Sequence, residues 1–179
     1  SPYDAYSDDD ELDDGEEYFG VDRVINGQTV TLKSNPLWID SDYDGLLDHE
    51  EVNGTTVVHQ GVQVTYFTDP KMTDTDNDEI SDYDELYLTL TDPTDQDSDG
   101  DDMTDGFEIA FGLDPNDPSD RNLNPDDDAL TNYQEFHNYA SGDVTPGAAN
   151  PNVPASVDLT LDTDDDTIPD WEEELKYGT

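Results

Sequence analysis

One apolar residue recurs in otherwise acidic and polar surroundings. Leu12, Leu46, Ile80, Met103, Leu130 and Ile168 each occupy the seventh place of a twelve-residue segment. The segments are 6–17, 40–51, 74–85, 97–108, 124–135 and 162–173, numbered one to six below. Recurrence of this kind bears on the architecture before any single element does. After segments one and two the pattern changes to alternation. "VDRVINGQTVTL" (21–32) and "TTVVHQGVQVTY" (55–66) place β-branched residues at every second position around Asn26-Gly27 and Gln60-Gly61, which predicts two β-hairpins. "DYDELYLTL", "DGFEIAFG", "NYQEFHNYA" and "DWEEELKYG" follow segments three to six and read as helices of one to three turns, too short to survive alone. Gly20 and Gly54 suit helix ends.

These patterns divide the chain. Residues 1–73 hold two 34-residue units of acidic loop plus hairpin, and 74–141 hold three compact units of loop plus helix. Residues 142–156 are rich in Pro, Gly and Asn and read as a linker or a long surface loop. Residues 157–179 hold a lone strand, "VDLTL", and the last loop unit. The strand needs an edge, which Val21–Ile25 or Val57–Val64 offers in this chain or a neighbour. Ser1-Pro2 and Tyr177-Gly178-Thr179 fall at one phase of the recurrence, as expected of a chain cut from a longer array or one whose ends complete each other head to tail.

Composition then sharpens the picture. The chain has 179 residues, with 49 Asp or Glu against 5 Lys or Arg, for a net charge of −44. Leu, Ile, Val and Phe make up about a fifth of it, so little hydrophobic core is expected. Polyanionic partners such as nucleic acid or anionic lipid are disfavoured, and no apolar run is long enough for membrane insertion. Without cysteine there are neither disulfides nor thiolate metal sites.

The acids are sorted by reach. Position three is always Asp (Asp8, Asp42, Asp76, Asp99, Asp126, Asp164), and so is position five (Asp10, Asp44, Asp78, Asp101, Asp128, Asp166). Position twelve is always Glu: Glu17, Glu51, Glu85, Glu108, Glu135, Glu173. Position one is Asp40, Asp74, Asp97, Asn124 and Asp162, with Tyr6 in the first segment, where Asp4 is the available substitute. A loop that curls around a hard cation converges its ligands at positions one, three and five. It adds the position-seven carbonyl and closes with a bidentate Glu at twelve. Ca²⁺ fits this oxygen set better than Mg²⁺, which keeps a rigid octahedron and its waters, or Zn²⁺, which takes His or Cys. The expected metal-ligating residues are therefore those at positions one, three, five and twelve, Tyr6 excepted, with the carbonyls of Leu12, Leu46, Ile80, Met103, Leu130 and Ile168. Position six, usually Gly for a positive-φ turn, is Gly only at Gly45. Glu11, Glu79, Asp102, Ala129 and Thr167 stand there in the other segments, at an expected cost in stability. Pro36, Pro70 and Pro93, four residues ahead of their loops, oppose a preceding helix, so these are not paired EF-hands.

"TDPTDQDSDGDDMTDGFEIAFGLDPNDPSD" and "DTDDDTIPDWEEELKYGT" resemble bacterial thrombospondin type 3-like calcium repeats. "DSDYDGLLDHEEVNGTTVVHQGVQVTYFTDP" is also similar to the calcium-binding first domain of binary-toxin binding components. The resemblance covers nearly the whole chain and implies one or two Ca²⁺ per loop. The second ion would be shared by the third and fifth Asp, the terminal Glu and a downstream acid such as Asp69, Asp92 or Asp114. The fold class expected is an elongated array of tandem calcium-loop repeats, with short helices after the loops and hairpins in the first two units.

Other residues carry less. His49, His59 and His137 lie in different units, and neither a G-x-S-x-G elbow nor a phosphate loop is present, so no enzyme activity is expected. Trp38 and Trp171 are expected to cap small cores. Asn53 lies in an N-glycosylation acceptor pattern, although a plain helix end accounts for Asn53-Gly54 as well. The expectation is an extracellular or cell-surface, secreted bacterial structural protein, with calcium ions and copies of itself or neighbouring domains as partners. Its use is the rod of a fibre that assembles end to end, or a non-catalytic spacer of a secreted enzyme or adhesin, or a part of a toxin translocation component.

Overall fold

The computed structural model describes residues 7–8, 10–59, 61–126, 130–142 and 150–152. The sixth acidic segment, the "VDLTL" strand, Tyr6, Asp128, Trp171 and most of the Pro/Gly-rich stretch lie outside the described residues.

A few short helices and two small hairpins make up the fold. In chain order they are α1 (Asp14–Phe19), β1 (Val21–Ile25), β2 (Gln28–Leu32), α2 (Asp48–Asn53), β3 (Thr55–His59), β4 (Val62–Tyr66), α3 (Asp82–Asp84), α4 (Asp105–Phe111) and α5 (Asn132–Ala140). Each helix starts at the ninth place of an acidic segment, because the eighth place supplies the cap. Asp13, Ser81, Thr104 and Thr131 accept backbone N–H groups of the first helical turn, and Asp13 and Thr131 form capping boxes with Glu16 and Gln134. Leu47 cannot cap through its side chain, and Glu50 instead accepts the Leu47 N–H at 3.0 Å. α3 continues into a wide π-helical turn, Glu85–Thr89, that ends on Leu90 in the left-handed region.

The hairpins are antiparallel and in the expected register, Val21 opposite Leu32 and Thr55 opposite Tyr66. Positive φ at both Asn26 (46°) and Gly27 (73°) gives the tight turn that matches strand twist. Each hairpin buries its apolar face against a residue from the next segment's helical stretch. Val52 of α2 joins Leu12 and Leu32 under the first, and Leu86 joins Leu46 and Tyr66 under the second. Phe107 and Phe111 of α4 pack on Tyr139 of α5, and Phe107 also on Phe136. Trp38 departs from expectation: it is 48% exposed and meets Tyr43 edge-to-face rather than capping a core.

Longer reaches tie the segments together. At the first hairpin's tip Asn26 donates its amide to the Thr94 carbonyl, and on the second His59 Nε2 lies 3.0 Å from Asn116 Oδ1. Thr94 and Asn116 occupy the same place, two residues after Asp92 and Asp114. Asp78 Oδ2 accepts the Gly106 N–H at 2.9 Å, and a Cβ at Gly106 would collide with the Asp78 carbonyl. Glycine is therefore required there. Among the described residues no helix is long and apolar enough to cross a membrane.

Candidate metal centres

The loop backbone folds around its own aspartates. Position five accepts the N–H of position seven in each of the first four segments: Leu12 to Asp10 at 2.7 Å, Leu46 to Asp44 at 2.7 Å, Ile80 to Asp78 at 2.8 Å and Met103 to Asp101 at 2.8 Å. Position one caps the far side. Asp74 accepts from Asn77 and Glu79, and Asp97 from Gly100 and Asp102. These bonds draw positions one, three and five together, while the apolar seventh side chain turns inward. Leu12, Leu46, Ile80 and Met103 are all buried.

Carboxylate oxygens consequently crowd. Asp40, Asp42 and Asp44 offer ligand atoms within 4.8 Å of one another, as do Asp74, Asp76 and Asp78, and Asp97, Asp99 and Asp101. In the first segment Asp8, Asp10 and Glu17 form the group. Glu51 and Glu85 lie outside those 4.8 Å groups but are 1% and 0% exposed. Asn124, Asp126 and Leu130 of the fifth segment are half-buried, and Glu135 is fully buried.

Position twelve is held by a residue the sequence did not flag. Ser34 Oγ donates to Glu17 at 3.0 Å, Thr68 Oγ1 to Glu51 at 3.0 Å, and Thr91 Oγ1 to Glu85 at 3.2 Å. Each hydroxyl directly precedes the Asx-Pro turn of its unit, and Leu113 takes that place in the fourth. Asp69, Asp92 and Asp114 themselves cap those turns, accepting the N–H of Lys71, Thr94 and Asn116.

Position nine is the other omission. Asp48, Asp82 and Asp105 are completely buried, and each accepts both the N–H and the hydroxyl of position two: Ser41, Thr75 and Ser98, at 2.6–2.9 Å. In the fifth segment position two is Pro125, which has neither donor, and position nine becomes Asn132, donating to the Asp120 carbonyl at 2.8 Å. That paired change was legible in the sequence as the one exception in both columns.

Electrostatics define what the clusters lack. Asp42, Asp44, Asp101, Glu51 and Glu85 each keep one buried carboxylate oxygen without a hydrogen-bond donor, and Asp76 and Glu108 keep two. Burial, reinforced by neighbouring carboxylates, pushes Glu51 and Glu85 up to about 10, Glu108 to about 9 and Asp76 to about 8. Among the described residues the one ion pair is Arg121–Asp102, at 2.7 Å and largely exposed on the Asp side. Buried charge without a partner is strongly unfavourable, so this donor set fits a bound cation. The clusters can hold a metal ion.

No family model matches the chain, and no curated protein or solved structure matches it either.

Proposed function

We propose that this chain is an extracellular, calcium-stabilised structural protein, the rod of a cell-surface or matrix fibre that assembles end to end. The observation that carries this reading is the recurring set of buried carboxylate oxygens without donors, at positions three and twelve of each of the first four segments and at position five of the first, second and fourth. An oxygen-only set with a long acidic closing residue favours Ca²⁺ over Mg²⁺ and Zn²⁺. In segments two to four the loop aspartates, the position-seven carbonyl and the position-twelve glutamate would hold one ion each. The ion supplies positive charge at the point where the carboxylates repel. Calcium modules that work outside cells bind at roughly 10⁻⁴–10⁻³ M. At ten times Kd each site adds about 1.4 kcal/mol by mass action, so several sites amount to most of a domain's stability.

A spacer function is the second reading. It is favoured by the bonds from Asn26 to Thr94 and between His59 and Asn116, which brace the chain internally without a partner. Sedimentation velocity in millimolar calcium and after chelation separates the two. A ladder of larger species that collapses on chelation is the outcome expected of a fibre subunit, and an elongated monomer that only expands identifies the spacer. Sedimentation and melting that ignore chelation would overturn the calcium reading itself.

A further inference from the structure

We propose that the cleft around Trp38 and Tyr43 is a binding site for a free quaternary ammonium compound, an organic cation with an apolar body. Such a site goes beyond the structural function proposed above and does not depend on which ion the loops hold. The cleft lies where the second acidic segment meets the first and has a volume of about 480 Å³, within the usual range for small ligands.

Its walls depart from the pattern that the neighbouring segments keep. The fourth place of a segment takes a positive φ: 68° at Tyr43, 65° at Asn77 and 80° at Gly100. Asn and Gly tolerate that conformation, whereas a tyrosine is strained in it. The eighth place caps a helix through Asp13, Ser81, Thr104 and Thr131, and Leu47 gives that bond up. Leu37-Trp38-Ile39 stands where Lys71-Met72-Thr73 and Thr94-Asp95-Gln96 precede the next two segments. All these apolar departures line the one cleft, and Leu37, Trp38, Ile39 and Tyr43 stay 47–72% exposed. Local rules broken at a cost in stability, and converging on one concave surface, mark a functional site.

The chemistry of the lining selects the occupant. Trp38 and Tyr43 meet at 89° with centroids 5.2 Å apart, a corner of two rings that both remain open to solvent. Such ring faces attract cations, quaternary ammonium groups above all. The formal charges in the lining are both negative, Asp8 and Asp40, in a chain of 49 acids and 5 basic residues, so an anion is repelled. One divalent ion leaves the second segment negative, because Asp40, Asp42, Asp44 and Glu51 all carry carboxylates. Asp8 and Asp40 supply field rather than free acceptors. Asp8 accepts the Asp10 N–H, Asp40 accepts the Tyr43 N–H at 2.7 Å, and both belong to the loop clusters. A quaternary ammonium has no N–H to donate and needs no acceptor, unlike lysine or arginine. Leu37, Ile39 and Leu47 receive its methyl groups and chain. A phosphocholine headgroup brings its own phosphate, which these acids repel, so lipid is not the source.

The test is calorimetric titration in calcium-containing buffer at constant ionic strength, with choline, its uncharged tert-butyl isostere and phosphocholine as probes. Choline is expected to bind about ten-fold more tightly than either. Tyr43→Asn and Leu47→Ser return the residue types that Asn77 and Ser81 provide in the third segment. Each is expected to weaken choline binding about ten-fold while melting at or above the wild-type temperature, a combination that a purely structural role would not give. A wild-type chain that does not bind choline, or binds the isostere equally well, would overturn the site. So would undiminished choline binding in the folded variants, or tighter binding of phosphocholine, of phosphatidylcholine vesicles or of a lysine-rich peptide.

Discussion

Residues 7–68 bury five hydrophobic side chains and three acids; residues 74–126 bury four hydrophobic side chains and seven acids. In the first region hairpins supply hydrocarbon. Leu32 and Tyr66 close their strands, and Val21, Ile25 and Val30 or Val57 and Val64 pack around them. In the second region no strand forms, and the loops press directly on the next helix, as where Asp78 receives the Gly106 N–H. Hydrophobic burial stabilises at any ionic condition, at roughly 25 cal/mol per Å² of apolar surface. A buried cluster of carboxylates stabilises only when a cation is present. The two regions should therefore fail under different conditions.

Paired substitutions sharpen that contrast most. Leu32→Ala removes a fully buried side chain from the first region and should cost about 3 kcal/mol with or without calcium. Glu85→Gln should change sign. With calcium it weakens one site and lowers the urea midpoint. After chelation it removes a carboxyl that the fold can bury beside Asp76 and Asp78 only by taking up a proton, and it raises the midpoint. Equal losses in both conditions would break the comparison.

Acid should act next most strongly, and in opposite directions. Glu51 and Glu85 are raised to about 10 and Asp76 to about 8 in the fold, against about 4 in an unfolded chain. Between these values the folded form binds more protons, so stability without cation is greatest below about pH 4 and falls as pH rises through the range up to about 10. Acidifying the chelated chain from pH 7.5 to 4.5 should recover amide protection, most of all in residues 74–126. The calcium-loaded chain should instead lose affinity over the same range, since protons compete for the ligand oxygens. Hydrogen exchange at the two pH values reads both effects.

Backbone strain gives the smallest effect. Glu79 sits at φ 86°, so Glu79→Gly should gain up to about 1 kcal/mol. Glu11 holds the same place in the first segment without a positive φ, and Glu11→Gly should gain nothing. Thermal melts of the two variants in calcium make the comparison directly.

Much of this was visible in the chain. The hairpins follow from alternation around Asn26-Gly27 and Gln60-Gly61, and the short helices from apolar spacing after an acidic loop. The grouping of positions one, three and five in segments two to four also follows from local spacing, because a short loop leaves few ways to curl. Position nine and the hydroxyls of Ser34, Thr68 and Thr91 were in the sequence too. Their roles were hidden because a buried Asp and a turn Ser look like ordinary solvated residues until a partner is placed beside them.

Sequence alone thus determined which oxygens are available and in what local order, since turn chemistry and side-chain reach act within about a dozen residues. Tertiary structure decided which of those oxygens find a donor. It set Asn26 against Thr94 and His59 against Asn116, and it required glycine at 106. It also brought Asp120 to Glu108 while Leu113 left that glutamate bare. Contacts of this kind join residues with no shared period, so only the packed chain, with water excluded from between them, specifies which charges meet.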